Sequence, residues 1–331
     1  MKIGITYNLK TDWSFAESDP RDANAEYDKP QTLDQIIEAL ESGGHEVSRL
    51  GDVGKLLSQI DNLDVDIVFN ICEGVKGRNR ESQVPVLLEM KGIPYIGSDG
   101  MTLALTLDKV MAKKCFLADG IPTPRFFVAK NLSDIENMNG LRYPLMVKTS
   151  QEGSSKGISE ESRVEDREEL RRQVKRVTEI YNQPALIEEF IRGKEFTVAV
   201  MGNEDAEAMP PVQVSIDGKT ELGDQFYTFS RIFSDSLKYL CPAEISEELE
   251  NQLKALAVKV FRCVDCKDMG RVDFRVDQEG NPYVLEINPL PNLGHEDVFY
   301  IFPKMLGSTY EKTINRIVDI ASKRYGMVPV N

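Results

Sequence analysis

The fold of this chain is decided by a stretch near its C-terminal end, GRVDFRVDQEGNPYVLEINP, which occupies residues 270–289. Two runs rich in valine, isoleucine, phenylalanine and tyrosine flank a short polar segment that contains Gly280. This pattern is typical of two antiparallel strands joined by a turn. The stretch is therefore predicted to form a β-hairpin.

The two faces of the predicted hairpin differ in polarity. Because successive side chains of a strand point to opposite faces, Asp273, Glu286 and Asn288 are predicted on one face. Arg271 belongs to the same face, and Leu285 is expected on the opposite, apolar face. Three oxygen ligands on a rigid sheet suit a hard cation such as Mg²⁺. A hairpin whose polar face is simply solvated explains the alternation equally well.

Length and composition bound the class of protein. With 331 residues, the chain is long enough for two or three domains of roughly 100–200 residues each. Apolar runs such as 67–69 are too short to cross a bilayer, so no membrane partner is predicted. The segment 1–7 reads as a short strand and lacks the longer apolar region of a signal peptide. These features predict a cytoplasmic protein.

Charge and reactive side chains exclude several functions. The net charge of −14 disfavours a nucleic-acid partner, because such binding depends on neutralising phosphates. A nucleotide needs only a few local cations. With two histidines, His45 and His295, the chain cannot build a histidine-rich zinc site. Cys263 and Cys266 have CxxC spacing without a second pair, so buried or unreactive thiols are favoured over a metal site.

The first hundred residues alternate between strand and helix patterns. Predicted strands cover 2–7, 45–50 and 66–70, and predicted helices cover 30–42 and 53–60. Such a β-α-β-α-β run predicts a parallel sheet, whose ligands bind beyond the carboxyl ends of its strands. The acidic segment 8–29 is expected to be a long surface loop, either functional or a solvated linker.

The middle of the chain carries a loop of small residues. A helix is predicted over 102–118 and a strand over 143–148, and the strand leads into QEGSSKG at 151–157. Small residues after a strand let backbone N–H groups converge on an anion, although an ordinary mobile hairpin tip has the same composition. Neither GxxxxGK[ST] nor GxGxxG is present, which argues against a P-loop and a nicotinamide enzyme.

Taken together, these pieces resemble the ATP-grasp superfamily and, within it, the D-alanine–D-alanine ligase family. The resemblance extends from about Leu63 to the C-terminal end. It is carried by GIPYIGS at 92–98, LDK at 107–109, GIPTP at 120–124, EGSSKG at 152–157, YLCPA at 239–243, RVDF at 271–274 and EIN at 286–288. The set is specific, although no single piece is.

The resemblance implies a fold and its division into domains. It implies an α/β (α+β ATP-grasp) fold that begins with a parallel-sheet preATP-grasp domain over 1–100. A central ATP-grasp subdomain over 101–185 and a C-terminal subdomain over 186–331, which contains the hairpin, would follow. ATP would bind between these two subdomains, and the family suggests a homodimer formed through the N-terminal domain.

The resemblance also implies roles for individual residues. Arg271, Ser154 and Arg231 would be catalytic, with Arg271 stabilising the transferred phosphoryl group. The cofactor-binding residues would be Lys109, Lys148, Gly153, Ser154, Ser155, Glu188, Glu189, Phe190, Ile191, Glu195 and Phe274. The backbone of 188–191 would read adenine and Glu195 would hold the ribose. Asp273, Glu286 and Asn288 would hold two Mg²⁺ ions, with Mn²⁺ as an alternative metal.

The departures from the family pattern cluster where amino-acid substrates would bind. The family's histidine-containing, glycine-rich segment with an acidic pair is replaced by EGVKGRNRE at 73–81, and the family's Lys-Tyr pair appears as Arg231 followed by isoleucine. Asp297 aligns near a serine that helps bind the acceptor carboxylate, and a carboxylate there would favour an amine or cation instead. Glu73, Arg271, Asn292 and Asp297 are therefore the expected substrate-binding residues.

The implied activity is ATP-dependent ligation of a carboxylate to an amine, joining amino acids or a peptide through an acyl phosphate. The altered segments predict substrates other than two D-alanines, with small-molecule amino acids or peptides as partners. A true D-alanine–D-alanine ligase, an ATP-grasp small-molecule kinase and a non-catalytic ATP-binding regulator are the alternatives. Four matching residues argue against the regulator, because a pure binder needs fewer metal ligands: Arg271, Asp273, Glu286 and Asn288.

Overall fold

The computed structural model describes residues 1–232, 236–295 and 297–327. Its first elements are β1 (Lys2–Tyr7), α1 (Pro30–Ser42), β2 (Glu46–Gly51), α2 (Val53–Gln59), β3 (Ile67–Ile71), α3 (Gln83–Lys91) and β4 (Tyr95–Ile96). The four strands form a sheet in the order β2-β1-β3-β4. Every pairing in it is parallel, so the predicted parallel sheet with helical crossovers is confirmed.

Helix α1 shows why the sequence folds this way locally. Pro30 opens the helix, where a missing N–H costs nothing, and Gly43 follows its last turn. Leu33, Ile36 and Leu40 recur at helical spacing and are fully buried in the core that also contains the strands of the sheet. The apolar stripe of α1 therefore covers one face of the N-terminal sheet.

The predicted helix over 102–118 is in fact two helices, α4 (Gly100–Leu107) and α5 (Lys109–Ala118). Asp108 separates them with an extended ψ of 93°, and its carboxylate accepts hydrogen bonds from the N–H groups of Val110 and Met111. An aspartate competes for backbone N–H groups in this way and so starts a new helix. The break places Lys109 in the first turn of α5.

The central sheet is antiparallel. It contains β5 (Phe126–Ala129), β6 (Leu145–Thr149), β7 (Arg163–Val164) and β8 (Ala185–Glu189) in the order β5-β8-β6-β7. Helix α6 (Arg167–Ile180) packs on it through Leu170, Val174 and Val177. The glycine- and serine-containing loop 151–157 follows directly after β6, as the sequence predicted.

The C-terminal sheet carries the hairpin. Its strands are β9 (Lys194–Gly202), β10 (Glu207–Ala208), β11 (Val212–Ile216), β12 (Leu237–Leu240), β13 (Asp268–Val276) and β14 (Pro282–Asn288). The order is β12-β11-β9-β13-β14, with β10 on β9. The helices of this part are α7 (Phe229–Ile232), α8 (Glu247–Cys263), α9 (Val298–Met305) and α10 (Tyr310–Arg324).

The hairpin itself is confirmed, but its strict alternation is not. Strands β13 and β14 are antiparallel, with Asp273 directly opposite Glu286. The next pair is Phe274 with Val284, so Leu285 is an extra residue on β14. Such a bulge turns a side chain to the other face. As a result, Leu285 lines the same cavity as Glu286, which is described below, and does not lie on the apolar face that the alternation predicts.

The N-terminal and C-terminal sheets share one core, whereas the central sheet has a core of its own. Helix α10 packs against α1, and the main core joins the N-terminal sheet to residues of β9, β13 and α9. Ala112 and Phe116 of α5 lie in a second core together with α8 and the hairpin. Helix α5 packs on the C-terminal sheet although it precedes the central sheet in the chain. The predicted division at residues 100 and 185 stays a prediction.

The segment 8–29 is the surface loop that its acidic composition suggested only in its first half, because residues 14–18 are exposed and the second half is buried. Asp22, Glu26 and Tyr27 are each less than 10% exposed. The indole of Trp13 packs edge-on against the ring of Tyr27 at 5.4 Å, and the Tyr27 hydroxyl donates to the carbonyl of Gly74. The segment is therefore a folded strap across the molecule, which we call the N-terminal strap.

Two further expectations concern the membrane and the cysteines. In the part of the chain that the structure describes, no helix is long and apolar enough to cross a membrane. The five cysteines are free thiols, and Cys72 and Cys266 are buried. Burial raises the pKa of the Cys263 thiol to about 12, which disfavours the reactive thiolate.

Candidate active site

A cavity of about 670 Å³ lies where the N-terminal domain, the central sheet and the hairpin meet. Every residue predicted for the site lines this cavity except Arg231 and Phe274. Residues more than 200 positions apart, such as Glu73 and Asn288, share its wall. A concave site at the junction of several elements is where ligands usually bind.

Phe274 and Arg231 are the two exceptions. Phe274 is fully buried in the apolar core beneath the hairpin, on the face opposite Asp273, so its assignment to the cofactor is wrong. The guanidinium of Arg231 donates to the carbonyl of Phe226 at 2.6 Å and pairs with Glu160 at 3.1 Å. Among the described residues, Arg231 is therefore part of the support behind the cavity and not of its wall.

The polar face of the hairpin is a connected network. The Arg271 guanidinium donates two bonds to the Asp273 carboxylate, each at 3.0 Å. Asp273 also accepts from the Thr197 hydroxyl at 2.6 Å and from the Asn288 amide at 3.0 Å. Two carboxylates and one amide on adjacent strands fit the oxygen ligation that Mg²⁺ prefers. A metal would need the Asn288 amide turned so that its oxygen faces the ion.

Glu286 is paired with Lys109. The Lys109 ammonium lies 2.8 Å from the Glu286 carboxylate and donates to the carbonyl of Glu152 at 2.6 Å. Burial alone would raise the pKa of Glu286, but Lys109 and Lys148 outweigh it and lower that pKa to about 2. Glu286 is therefore ionised throughout the physiological range and is a ready cation ligand.

A buried carboxylate positions the second predicted phosphate-binding lysine. Glu188 is 1% exposed, and it lies 2.8 Å from the Lys148 ammonium and 2.5 Å from that of Lys113. Burial would raise the pKa of Glu188, but these two lysines outweigh it and lower that pKa. Lys113 was not predicted. It follows Lys109 at a spacing of four on α5, a helical pattern that could have indicated a shared face.

The predicted base-reading stretch follows β8. The N–H groups of Glu189 and Phe190 donate to the carbonyls of Arg125 and Pro144, so they are used by the sheet. The N–H of Ile191 has no hydrogen-bond acceptor among the residues that the structure describes. This group is the one left to face an adenine.

The predicted ribose ligand, Glu195, is held by an arginine. The Arg275 guanidinium lies 3.0 Å from the Glu195 carboxylate and stacks over the Phe190 ring at 5.0 Å. Arg275 is 3% exposed. Burial raises the pKa of Glu195 even though Arg275 opposes it. The pair therefore fixes the end of the cavity wall formed by Phe190 and Ile191.

The loop 151–157 is fastened by the N-terminal strap. The N–H of Gly153 donates to the Glu26 carboxylate at 2.6 Å, and the N–H of Gly157 donates to Asp22 at 2.7 Å. Ser154 and Ser155 have left-handed backbones, with φ of 48° and 54°, and both line the cavity. A loop held in such a conformation is positioned by its neighbours and not by its own preference.

Asp297 does not present a free carboxylate to a substrate. It lies 3.0 Å from the Arg271 guanidinium and also accepts from the N–H of Val298 at the start of α9. Asn292 lines the same cavity and closes a turn by accepting from the N–H of Gly294 at 2.6 Å. The expectation that Asp297 itself would attract an amine is thus corrected, because its charge is already matched by Arg271.

Three carboxylates that line the cavity meet at one place in its wall. Oxygen atoms of Glu26, Glu73 and Glu81 all lie within 4.8 Å of one another, and we call this set the acidic cluster. Arg80 donates to Glu26 at 2.5 Å and also lies 3.3 Å from Glu152. Of the cluster, only Glu73 was predicted as a site residue. Glu81 had no sequence signal beyond its place in the segment that departs from the family pattern.

Glu73 and Glu81 lack partners of their own. Neither carboxylate has a hydrogen bond or ion pair within the described part of the chain. Burial raises the pKa of Glu81 to about 8 despite the nearby Arg80. Burial, reinforced by the charge of Glu81, also raises the pKa of Glu73 well above its ordinary value. Glu26 behaves differently, since Arg80, Lys156 and the Gly153 N–H outweigh its burial and lower its pKa.

The fold and this site define an ATP-grasp ligase, and comparisons with known proteins agree. Residues 116–319 match the family described as "D-ala D-ala ligase C-terminus". The chain is 35% identical over 308 residues to the uncharacterized protein y4sG of Sinorhizobium fredii, covering 88% of each. It is 33% identical over 271 residues to a D-alanine–D-alanine ligase of Acetivibrio thermocellus, covering 79% of this chain and 69% of that one.

The fold is also that of solved ligases. The structure of the D-alanine–D-alanine ligase of Bacillus anthracis complexed with ATP superimposes with a TM-score of 0.74 at 21% identity, covering 98% of each chain. With more than half of the chain matched by the family, the protein belongs to the D-alanine–D-alanine ligase family. It is an ATP-dependent ligase that forms a carbon–nitrogen bond, and the predicted ATP-grasp fold is confirmed.

Proposed function

We propose that this ligase joins the carboxylate of one amino acid or peptide to the amine of another through an acyl phosphate, and that its substrates are not two D-alanines. The observation that carries the proposal is the network in which Lys109, Glu286, Asp273 and Arg271 meet on one cavity wall. These are the charges that phosphoryl transfer requires, since that reaction depends on positioning and charge neutralisation.

In the first step, a carboxylate oxygen of the donor attacks the γ-phosphorus of ATP and ADP leaves. Lys109 and Lys148 bind phosphate oxygens, and each is preorganised by a carboxylate, Glu286 and Glu188 respectively. Asp273, Glu286 and Asn288 would hold Mg²⁺, which supplies positive charge to the phosphates when bound. Arg271 stabilises the charge that develops on the transferred group.

In the second step, the amine of the acceptor attacks the acyl carbon, phosphate leaves and the amine loses its proton. The loop 151–157 lies over this part of the cavity and excludes water that would hydrolyse the acyl phosphate. Its tethers to Asp22 and Glu26 hold it in this place. Asp22 and Glu26 both belong to the N-terminal strap, and Lys109 holds the loop as well through the carbonyl of Glu152.

Substrates other than two D-alanines are supported by the charges that the substrates would meet. Where the sequence pattern of the family has a histidine-containing, glycine-rich segment with an acidic pair, this chain lacks the histidine and places the carboxylates of Glu73 and Glu81 at the cavity wall. A small neutral side chain has no use for these charges.

The experiment is ADP release measured across a panel of amino acids and dipeptides, taken singly and in pairs. A ligase releases ADP at full rate only with a carboxylate donor and an amine acceptor together. Release with one substrate, accompanied by a stable phosphorylated product, would indicate a small-molecule kinase instead. Full activity with D-alanine alone as donor and acceptor would refute the altered specificity.

The homodimer also remains a proposal. Val86 and Met90 on α3 and Met101 on α4 are exposed apolar side chains of the N-terminal domain. Sedimentation of the purified protein would test whether this domain associates.

A further inference from the structure

The acidic cluster has a charge imbalance that the ligase mechanism does not use. The three carboxylates of the cluster and the neighbouring carboxylate of Glu152 make four acidic groups. Two basic groups, Arg80 and Lys156, form ion pairs with them. Lys109 is also near but pairs with Glu286. Asp28 and Lys10 also line the cavity, and the charge of Lys10 opposes the effect of burial, which raises the pKa of Asp28 to about 7. Two carboxyl groups are therefore left without a matching positive charge, so ionising them requires a cation that the surrounding residues do not supply.

The two carboxyl groups without a paired cation are those of Glu73 and Glu81, which face the cavity. Glu81 is 8% exposed and has no partner within the described residues, and it lines the cavity. Burying an unpaired carboxylate is costly, because the lost hydration is not replaced. Such a group is retained where a ligand supplies the missing partner.

We infer that the acidic cluster is the subsite for a substrate with a positively charged side chain, so that the enzyme ligates a basic amino acid such as a diamino acid. The α-ammonium of any amino acid could satisfy one carboxylate. A second cation, carried by the side chain, is needed to satisfy the other. This inference rests on the proposed ligase function and names the substrate class for the same cavity.

A divalent metal fits the cluster less well than an ammonium group. Arg80 lies 2.5 Å from Glu26, and Lys156 lies 2.8 Å from Glu152, so cations already surround the carboxylates. A metal ion with two positive charges would be repelled by both Arg80 and Lys156. An ammonium or guanidinium group adds one charge and donates several hydrogen bonds to carboxylates.

The position of the cluster suits a substrate and not a remote effector. Lys109 contacts Glu286 on the hairpin and, through the carbonyl of Glu152, the loop that borders the cluster. Charges of Glu26 and Glu81 also act on the Lys109 ammonium. A molecule bound at the cluster is therefore one lysine away from the residues that bind the phosphates.

The test compares ornithine with norleucine, which has a methyl group where ornithine has its side-chain ammonium. Reactions contain ATP, Mg²⁺, one of these amino acids as a racemate and D-alanine. The wild type is expected to show a kcat/KM at least ~10-fold higher for ornithine than for norleucine, and Glu81→Gln and Glu73→Gln are each expected to reduce this ratio about 10-fold. Glu38→Gln, on the exposed side of α1, is the matched control and leaves the ratio unchanged.

Each outcome decides a different point. Turnover without a preference for ornithine, or a preference that survives in Glu81→Gln, overturns the inference and leaves the ligase function standing. If no pair of substrates releases ADP, the proposed function fails. Calorimetric titration with ornithine and norleucine, in the wild type and in Glu81→Gln, then decides the inference alone. Binding of Mg²⁺ alone to the nucleotide-free protein, lost in Glu81→Gln, would identify a metal site and also overturn the inference.

Discussion

The two ends of the cavity treat their carboxylates in opposite ways. We call the proposed ATP-binding part of the cavity the nucleotide end. There, the carboxylates of Glu188, Asp273 and Glu286 each lie within 3.0 Å of a lysine or arginine. At the acidic cluster, Glu73 and Glu81 face the cavity with no partner in the described chain. The first arrangement is preorganised, because the carboxylates hold the lysines and the arginine in position before ATP binds. The second is incomplete, and its missing charges point to the substrate.

The difference teaches how binding energy is divided. Cations at the nucleotide end are held in position before ATP arrives, so little ordering is required when it binds. The acidic cluster instead stores an unfavourable interaction that a cationic substrate relieves. Specificity of this kind works by rejecting neutral substrates as much as by attracting charged ones.

The largest effect is expected from breaking the buried pair at the nucleotide end. Glu188→Ala leaves Lys113, which is 1% exposed, without its carboxylate, and we expect the free energy of unfolding to fall by about 3–5 kcal/mol. Urea unfolding at pH 7 measures it. Glu136→Gln removes an exposed carboxylate with two arginine partners and is the control, with a change below about 1 kcal/mol. A small loss in Glu188→Ala would mean that the pair is not preorganising Lys148.

The next effect concerns Arg271, the proposed catalytic cation. Arg271→Lys keeps a charge but loses the bidentate contact with Asp273, and we expect kcat to fall about 10²–10³-fold. The KM for ATP should change much less, because the interaction is strongest in the transition state. Steady-state kinetics with the best substrate pair measures both. Arg316→Lys, on the exposed surface, is the control. A rise in KM with kcat unchanged would assign Arg271 to ground-state binding.

Much of the nucleotide end could be predicted from the sequence, and the reason is physical. Asp273 and Glu286 lie on consecutive strands of a hairpin, so alternation alone brings them to one face. The loop after β6 and Lys148 are equally local. Two errors arose where a local rule was broken: the bulge that turns Leu285 into the cavity, and Asp108, which divides the predicted helix. Neither is visible in a hydrophobic pattern.

The acidic cluster was mostly missed because its members are joined only by tertiary packing. Glu26 comes from the N-terminal strap and Glu81 from the segment before α3. An acidic composition normally indicates a solvated loop, yet Asp22, Glu26 and Tyr27 in the second half of the strap are buried. Pairing of Arg271 with Asp297 was also invisible, since it depends on where α9 begins. Sequence patterns report which face a residue takes, but not which distant residue shares its surroundings.

The strap connects the two ends, and a milder substitution tests that connection. Asp22→Asn weakens the bonds from the Gly157 N–H and the Tyr181 hydroxyl, and we expect a loss of about 1–3 kcal/mol in stability because one buried and one partly buried donor lose a charged acceptor. The loop 151–157 should also exchange its amide hydrogens faster, which mass spectrometry detects. Asp12→Asn, in the exposed part of the strap, is the control. Unchanged exchange would show that Asp22 does not hold the loop.

The smallest effect should appear at the acidic cluster and should depend on pH. The pKa of Glu81 is raised from its ordinary value of 4.5 to about 8, so folding favours its protonated form. The stability that follows is fully present below pH 4.5 and is lost as the pH rises toward 8. Glu81→Gln stays neutral and avoids this loss. We therefore expect Glu81→Gln to be more stable than the wild type by on the order of 1 kcal/mol at pH 8.5, with the difference shrinking at pH 5.

The same measurement tells whether the imbalance is a property of the free enzyme. Urea unfolding of both proteins at the two pH values gives the difference directly, and Glu38→Gln corrects for the loss of one charge from the whole chain. Added ornithine should stabilise the wild type more than Glu81→Gln, because only the wild type gains a partner for that carboxylate. If Glu81→Gln is less stable than the wild type at pH 8.5, Glu81 has a stabilising partner in the folded protein. The contrast between a paired nucleotide end and an unpaired substrate end would then be wrong.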